Sequence, residues 1–200
     1  TRPEELAIQE ATVQDAREYV RDKVEDAYTK SDDAVRNKVD QFITNPRSAP
    51  QLNFALADPG LESAIETERL ALETRFLSWL KAITGLLPSG DLGQPAAQGR
   101  ENLAVVKSFL DRVSLAVNSL KASAAISQTT IDGYRSDVTT ARTNVATAIN
   151  NLSQAENDFL IEERELALKR AGATAEELAA EEAEVEKAEA KVAALRAELA

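Results

Sequence analysis

Apolar residues recur at helical spacing along nearly the whole chain. Leu6, Val13, Ala16 and Val20 follow a seven-residue repeat, and Val24, Tyr28, Val35, Val39 and Phe42 continue it with extra steps of four. A strict heptad makes a narrow two-helix seam, whereas added steps of four widen the stripe to suit a bundle. The pattern predicts a first helix from Pro3, with Glu4 and Glu5 in its opening turn, to about residue 43. Asn45-Pro46, Ala49-Pro50 and Asp58-Pro59-Gly60 then punctuate residues 44–60. Leu52, Phe54 and Leu56 alternate among these turn signals, which reads as a loop pinned to a core in preference to a strand.

A second helix is expected over about 61–84, on a stripe of Leu61, Ile65, Leu72, Phe76, Trp79 and Ile83, ended by Gly85 and Pro88. Residues 85–99 hold four glycines and two prolines and read as a flexible connection. Leu103, Val106, Leu110, Val113, Val117 and Leu120 mark a third helix. The fourth is the most regular: Ile131, Tyr134, Val138, Ala141, Val145, Ala148, Leu152, Ala155 and Phe159 alternate steps of three and four. Thr129 and Thr130 are its candidate caps, and it should run to about Ala171. After Gly172 a heptad of Leu178, Val185, Ala188, Val192, Leu195 and Leu199 resumes.

Composition narrows the chemistry. The 200 residues contain no Cys, His or Met, and the formal net charge is −11. Zinc sites of the usual kind and Cys- or His-based catalysis are excluded, and the acidic balance argues against a nucleic-acid surface. A start at Thr1 reads as a processed chain or a piece of a longer one. Glu177 with Glu181, and Glu182 with Glu186, share helix faces, but di-iron bundles need Glu-x-x-His pairs, so the last helix reads as a solvated acidic face. No Ser, Thr or Lys lies in a glycine elbow or beside a visible base. No catalytic, cofactor-binding or metal-binding residue is assigned, no cofactor is expected, and the chain is not expected to be an enzyme. Trp79, Phe76 and Leu80 could face a ligand pocket, though such residues are more often core.

The fourth helix has an unusual surface. Thr139, Thr140, Thr143, Asn144, Thr147, Asn150, Asn151 and Ser153 lie between its seam positions, and charges are sparse from Val138 to Ala155. Neutral drift on a helix held by packing accounts for this. A low-charge face that packs on another helix or subunit accounts for it equally.

The two ends of the chain echo each other. Thr1-Arg-Pro-Glu-Glu-Leu-Ala-Ile8 and Ala173-Thr-Ala-Glu-Glu-Leu-Ala-Ala180 each lead into Glu-Glu or Gln-Glu, then Ala, then Val. The run from Ala155 to Leu199, with its Ala171-Gly-Ala-Thr-Ala-Glu-Glu-Leu178 break and following Ala-rich heptads, resembles the helical arm of HlyD-type membrane fusion proteins, the periplasmic adaptor subunits of efflux and secretion systems. In that family a break of the Ala-Gly-x-x-Pro-Glu-Glu-Ile type sits on each side of a helical hairpin. Thr1–Ala16 resembles the first break and Ala171–Ala188 the second, with Ala175 where the first has Pro3. Tyr28–Phe42 and Ile131–Val145 resemble segments of some family members too.

The resemblance implies an all-α fold, a long antiparallel coiled-coil hairpin with an inserted helical bundle. Residues 1–27 and 129–200 would form the stalk, and 28–128 a bundle at its far end. It implies a structural adaptor bridging an inner-membrane transporter, ABC-type or similar, to further envelope components. The parent protein would self-assemble outside the cytoplasm and be held at a membrane; no apolar run here is long enough to span one. The family's lipoyl-like half-motifs and β-barrel are absent, as expected of a piece lying between them. So is an Arg/Leu/Ser tip pattern for docking to an outer-membrane channel. The rival class is a ligand-binding sensor bundle on a coiled-coil stalk.

Overall fold

The computed structural model describes residues 3–86, 90–172 and 175–198, and for 175–177 and 197–198 the backbone alone. The fold is all-α. Its helices are α1 (Pro3–Asp32), α2 (Pro59–Thr84), α3 (Gly93–Ser119), α4 (Gln128–Ala171) and α5 (Ala175–Glu198). Beyond α1 the chain continues as a π-helical segment, Asp33–Val39, and a 3-10 turn, Asp40–Phe42. Two short strands follow, β1 (Ile43–Thr44) and β2 (Gln51–Leu52). The chain divides into two compact units. One comprises Asp15–Phe159, and the other Thr1–Gln14 with Leu160–Ala200.

The larger unit is a four-helix bundle with every neighbour antiparallel. On α1 and its π-helical continuation, Arg36 and Asp40 meet Glu73 and Arg69 of α2, so rising numbers on one helix meet falling numbers on the other. Glu68 of α2 pairs with Arg112 of α3, while Arg75 reaches Asn102. Between α3 and α4, Arg100 pairs with Glu156, Asp111 with Arg142, and the carbonyl of Val117 accepts from Arg135. The ring is closed by Lys38 on Asp137 and Phe42 against Tyr134.

These borders differ from the expected 28–128. Val20, Val24 and Ala27 of α1, and Ile131, Val138, Ala141, Val145, Ala148, Leu152 and Ala155 of α4, are buried, and all but Ile131 belong to the same core as Leu72, Phe76, Leu103 and Leu110. The regular heptad of α4 therefore faces a bundle interior over most of its length, where a two-helix seam was expected.

Local differences have local causes. Along α1 the buried positions Val20, Val24, Ala27, Ser31 and Ala34 alternate four and three, and Val35, Val39 and Phe42 resume that alternation one residue out of phase. The π-helix absorbs the slip: the Asp40 N–H bonds to the Val35 carbonyl, five residues back. The expected loop over 44–60 opens with a minimal antiparallel ladder that begins one residue earlier, Ile43 with Leu52 and Thr44 with Gln51, turned by Asn45 at φ 49°. Phe54 and Leu56 pack on the core from the loop beyond, as expected.

The connection before α3 is shorter than the expected 85–99. Asp91 Oδ1 accepts from the Gly93 N–H at 2.9 Å, and Pro95 sits in the first turn, where its missing N–H costs no helical bond. Ser127 caps α4 in place of Thr129 or Thr130, accepting from the Thr130 N–H at 3.1 Å. Asp58 caps α2 through Gly60 and Leu61. Gly172 ends α4 at φ 76°, a left-handed position that suits glycine. The expected stops and starts at Pro88, Ala173, Thr174 and Leu199 lie outside the described residues.

In the smaller unit, Gln9 is 4% exposed and bonds Glu162 Oε2 at 2.7 Å and Lys169 Nζ at 2.5 Å. Arg170 pairs with Glu10 at 2.8 Å. Leu166 is the most buried apolar residue described in this unit, at 8%.

Candidate functional site

The chemistry of the chain is concentrated in three places. The first is the seam left uncovered in the smaller unit. On α5, Leu178, Val185 and Val192 are 55%, 55% and 48% exposed, and Leu195 is 51% exposed. Leu178, Val185 and Val192 are seven apart and Leu195 follows three further on, which puts them on one face of the helix. Ile8, Ile161 and Leu168 of this unit are also exposed. Scattered apolar side chains are ordinary on a surface, but a periodic stripe is the pattern of a helix–helix interface. Fully burying a Leu or Val contributes about 1.5–3 kcal/mol, so a half-exposed one has roughly 1 kcal/mol still to gain.

The second is the low-charge face of α4. Thr139, Thr140, Thr143, Thr147 and Asn150 are exposed, while Asn144, Asn151 and Ser153 are half-buried. Thr139, Thr140 and Thr143 each donate to the carbonyl four residues back, at 2.8, 3.0 and 3.0 Å. Their hydroxyls are thus turned onto the helix and their methyl groups left outward, a surface with little charge to desolvate.

The third was not visible beforehand. Arg69 is fully buried and bidentate on Asp40, with Nε–Oδ1 2.6 Å and Nη2–Oδ2 2.7 Å. Its Nη1 reaches Glu73 Oε2 at 3.3 Å. Glu73 Oε1 accepts from Arg36, which also pairs with Asp32 and lies over the Phe76 ring. Burial pushes against the charge on Arg69, but the Asp40 and Glu73 carboxylates more than offset it and hold the guanidinium above its ordinary value. Burial, with Asp32 next in effect, pushes the Tyr28 phenol up. The signal was a gap: the apolar stripe of the second helix steps by seven from Ile65 to Leu72, and Arg69 fills the missing core position. Two guanidiniums share three carboxylates in this chain of contacts, which ties the π-helical segment to α2; its geometry is structural.

Trp79 and Phe76 are core residues, each 1% exposed and edge-on to Tyr28, whereas Leu80 is 39% exposed. Glu181, Glu182 and Glu186 are exposed, and the side chain of Glu177 lies outside the described residues. Among the described residues no three Asp, Glu, His or Cys side chains are grouped to hold a metal ion. No described helix is long and apolar enough to cross a membrane. Comparison with protein-family models, with curated proteins and with solved structures finds no match to this chain.

Proposed function

We propose that this chain is the helical arm of an HlyD-type membrane fusion protein: a non-catalytic adaptor that works outside the cytoplasm and links an inner-membrane transporter to further components of the envelope. One observation carries the reading. The heptad stripe Leu178, Val185 and Val192 on α5 is about half exposed, as a seam that closes only in a larger assembly requires. The resemblance of the two breaks, at Thr1–Ala16 and Ala171–Ala188, supplies the family. In this reading the ends of the chain pair as an antiparallel hairpin, and copies pack around an axis through low-charge faces such as that of α4.

The test is co-purification. The full-length parent protein, tagged and extracted from its own membranes, should bring down an inner-membrane transporter and further copies of itself. Leu178→Glu/Val185→Glu/Val192→Glu should lose both while the bundle still melts as in the wild type. Recovery of soluble signalling partners in place of a transporter contradicts the proposal.

The ligand-binding bundle is the second reading, favoured by two unpartnered buried polar atoms between α2 and α3, Glu68 Oε2 and Asn102 Nδ2. A ligand-induced rise in melting temperature is its test.

A further inference from the structure

The apolar stripe of α5 is uncovered among the described residues, and every side chain from Leu178 to Arg196 is exposed. A shallow trough of about 460 Å³ runs along it, lined by residues of α5 itself, among them Val185, Ala188 and Val192. The charges beside the stripe restrict which helix can lie on it. Leu178, Val185 and Val192 hold one core position of the heptad, and Glu181, Ala188 and Leu195 hold the other. The flanking positions are then Glu182, Glu189 and Arg196 on one side, and Glu184 and Lys191 on the other. These charges are sorted along the helix: acidic from 182 to 189, basic from 191 to 196.

That order works against a second copy of α5. In a parallel pair in register, a residue of the second flank meets the residue of the first flank five positions on in its partner. Glu184 then faces Glu189, and Lys191 faces Arg196; all of these contacts join like charges and are destabilising. In an antiparallel pair, the register that covers the whole stripe sets Leu178 on Leu195 and Val185 on Ala188. It also drops Glu181 onto Val192 and brings Glu182 beside Glu189, and only Glu184 with Lys191 gains. Flanking charges of this kind choose partners by what they repel as well as by what they attract.

We propose that the α5 stripe is closed by a helix of a different protein, one that carries Lys or Arg beside residues 182–189 and Asp or Glu beside residues 191–196. This names the partner class for the seam invoked in the proposed function, and it rests on that reading only in taking the stripe to be a seam. Burial of Leu178, Val185, Val192 and Leu195 supplies the attraction, and the sorted charges supply direction and register.

The test titrates the 200-residue chain with helical peptides of the same length as α5. Two share one Leu/Val seam: the first carries Lys at the flanking positions of its first half and Glu at those of its second, and in the other these charges are exchanged. Calorimetry at low salt should show saturable one-to-one binding of the first peptide and at least about tenfold weaker binding of the second, a gap that narrows as salt is raised. A peptide of the sequence Ala175–Glu198 should bind no better than the second. Glu182→Lys/Glu184→Lys/Glu189→Lys/Lys191→Glu/Arg196→Glu should invert the preference between the two designed peptides. Leu178→Ser/Val185→Ser/Val192→Ser keeps every flanking charge and should abolish binding of both, with the melting of the bundle unchanged when read from the buried Trp79. Equal binding of the two designed peptides, binding of the Ala175–Glu198 peptide as tight as that of the first, binding that survives loss of the apolar stripe, or no saturable binding at millimolar peptide overturns the proposal. Charge-ordered binding together with a parent protein that recovers no transporter would leave this partner class standing and the adaptor reading failed.

Discussion

Replacing Arg69 by methionine keeps most of the side-chain volume and removes a guanidinium that is 0% exposed. Asp40 then loses both of its short bonds, at 2.6 and 2.7 Å, in a site where its own side chain is only 11% exposed. Glu73 keeps Arg36 at 2.9 Å, so the damage falls mainly on Asp40. Breaking a buried pair while leaving one charge behind costs about 3–5 kcal/mol. For a unit of this size about 1 kcal/mol moves the midpoint by roughly 2–4 °C, so the melting temperature should fall by roughly 6–20 °C. Trp79 is the only tryptophan of the chain and is 1% exposed within the bundle, so its fluorescence reports this unit directly. The decisive comparison is with Asp40→Leu/Arg69→Met, which leaves no uncompensated charge and should recover at least half of the loss. Arg69→Lys should fall between, because an ammonium cannot reproduce the bidentate contact. If Arg69→Met costs under about 1 kcal/mol, or the double variant is no better than the single one, the reasoning from buried charge fails.

Other outcomes follow from the same contacts. Gly99 lies where α3 approaches α4, and an added Cβ would stand 3.3 Å from Leu152 Cδ2, so Gly99→Val should overpack the core and cost about 1–3 kcal/mol in urea denaturation. Asp137 is held below its ordinary 3.8 by bonds from Gln41 and Lys38, and Lys38 is held above its ordinary 10.5 by Asp137. The Asp137 contribution is present above its unfolded value and lost as pH falls through its depressed folded value. That of Lys38 is present below its unfolded value and lost as pH rises through its raised folded value. Asp137→Asn should therefore lower stability between those limits and flatten the acid side of the stability–pH profile measured by thermal melts. Thr140→Glu/Thr147→Glu changes two exposed positions of α4; it should leave the melting of the isolated chain within about 0.5 kcal/mol and weaken assembly of the full-length protein, read by sedimentation.

The periodicity of apolar residues was enough to place all five helices, because spacing of three and four needs no tertiary knowledge. It could not say how many helices share a seam. The stripe of α4 reads the same against one partner or three, which is why the bundle reaches back to Asp15 and on to Phe159. The π-helical segment left a trace, the slip in the stripe of α1, but a slip of one residue is also what a wider stripe looks like. Arg69 and Asn102 were hidden for another reason: a buried polar residue is recognised by its partners, and Asp40 and Arg75 come to them from other helices. The exposed seam of α5 was the reverse case. Its heptad was plain in the sequence, and its exposure required the folded chain.

The 200 residues contain no cysteine, so a thiol introduced on α5 is unique within this chain. In the full-length protein in its own membrane, Val185→Cys places a thiol on the α5 stripe, and Ala190→Cys places one off it on the same helix. The adaptor account predicts that a short bifunctional reagent captures a neighbouring helix, from another copy or from the transporter complex, through Val185→Cys and not through Ala190→Cys. Equal capture at the two positions, or none at either, contradicts it.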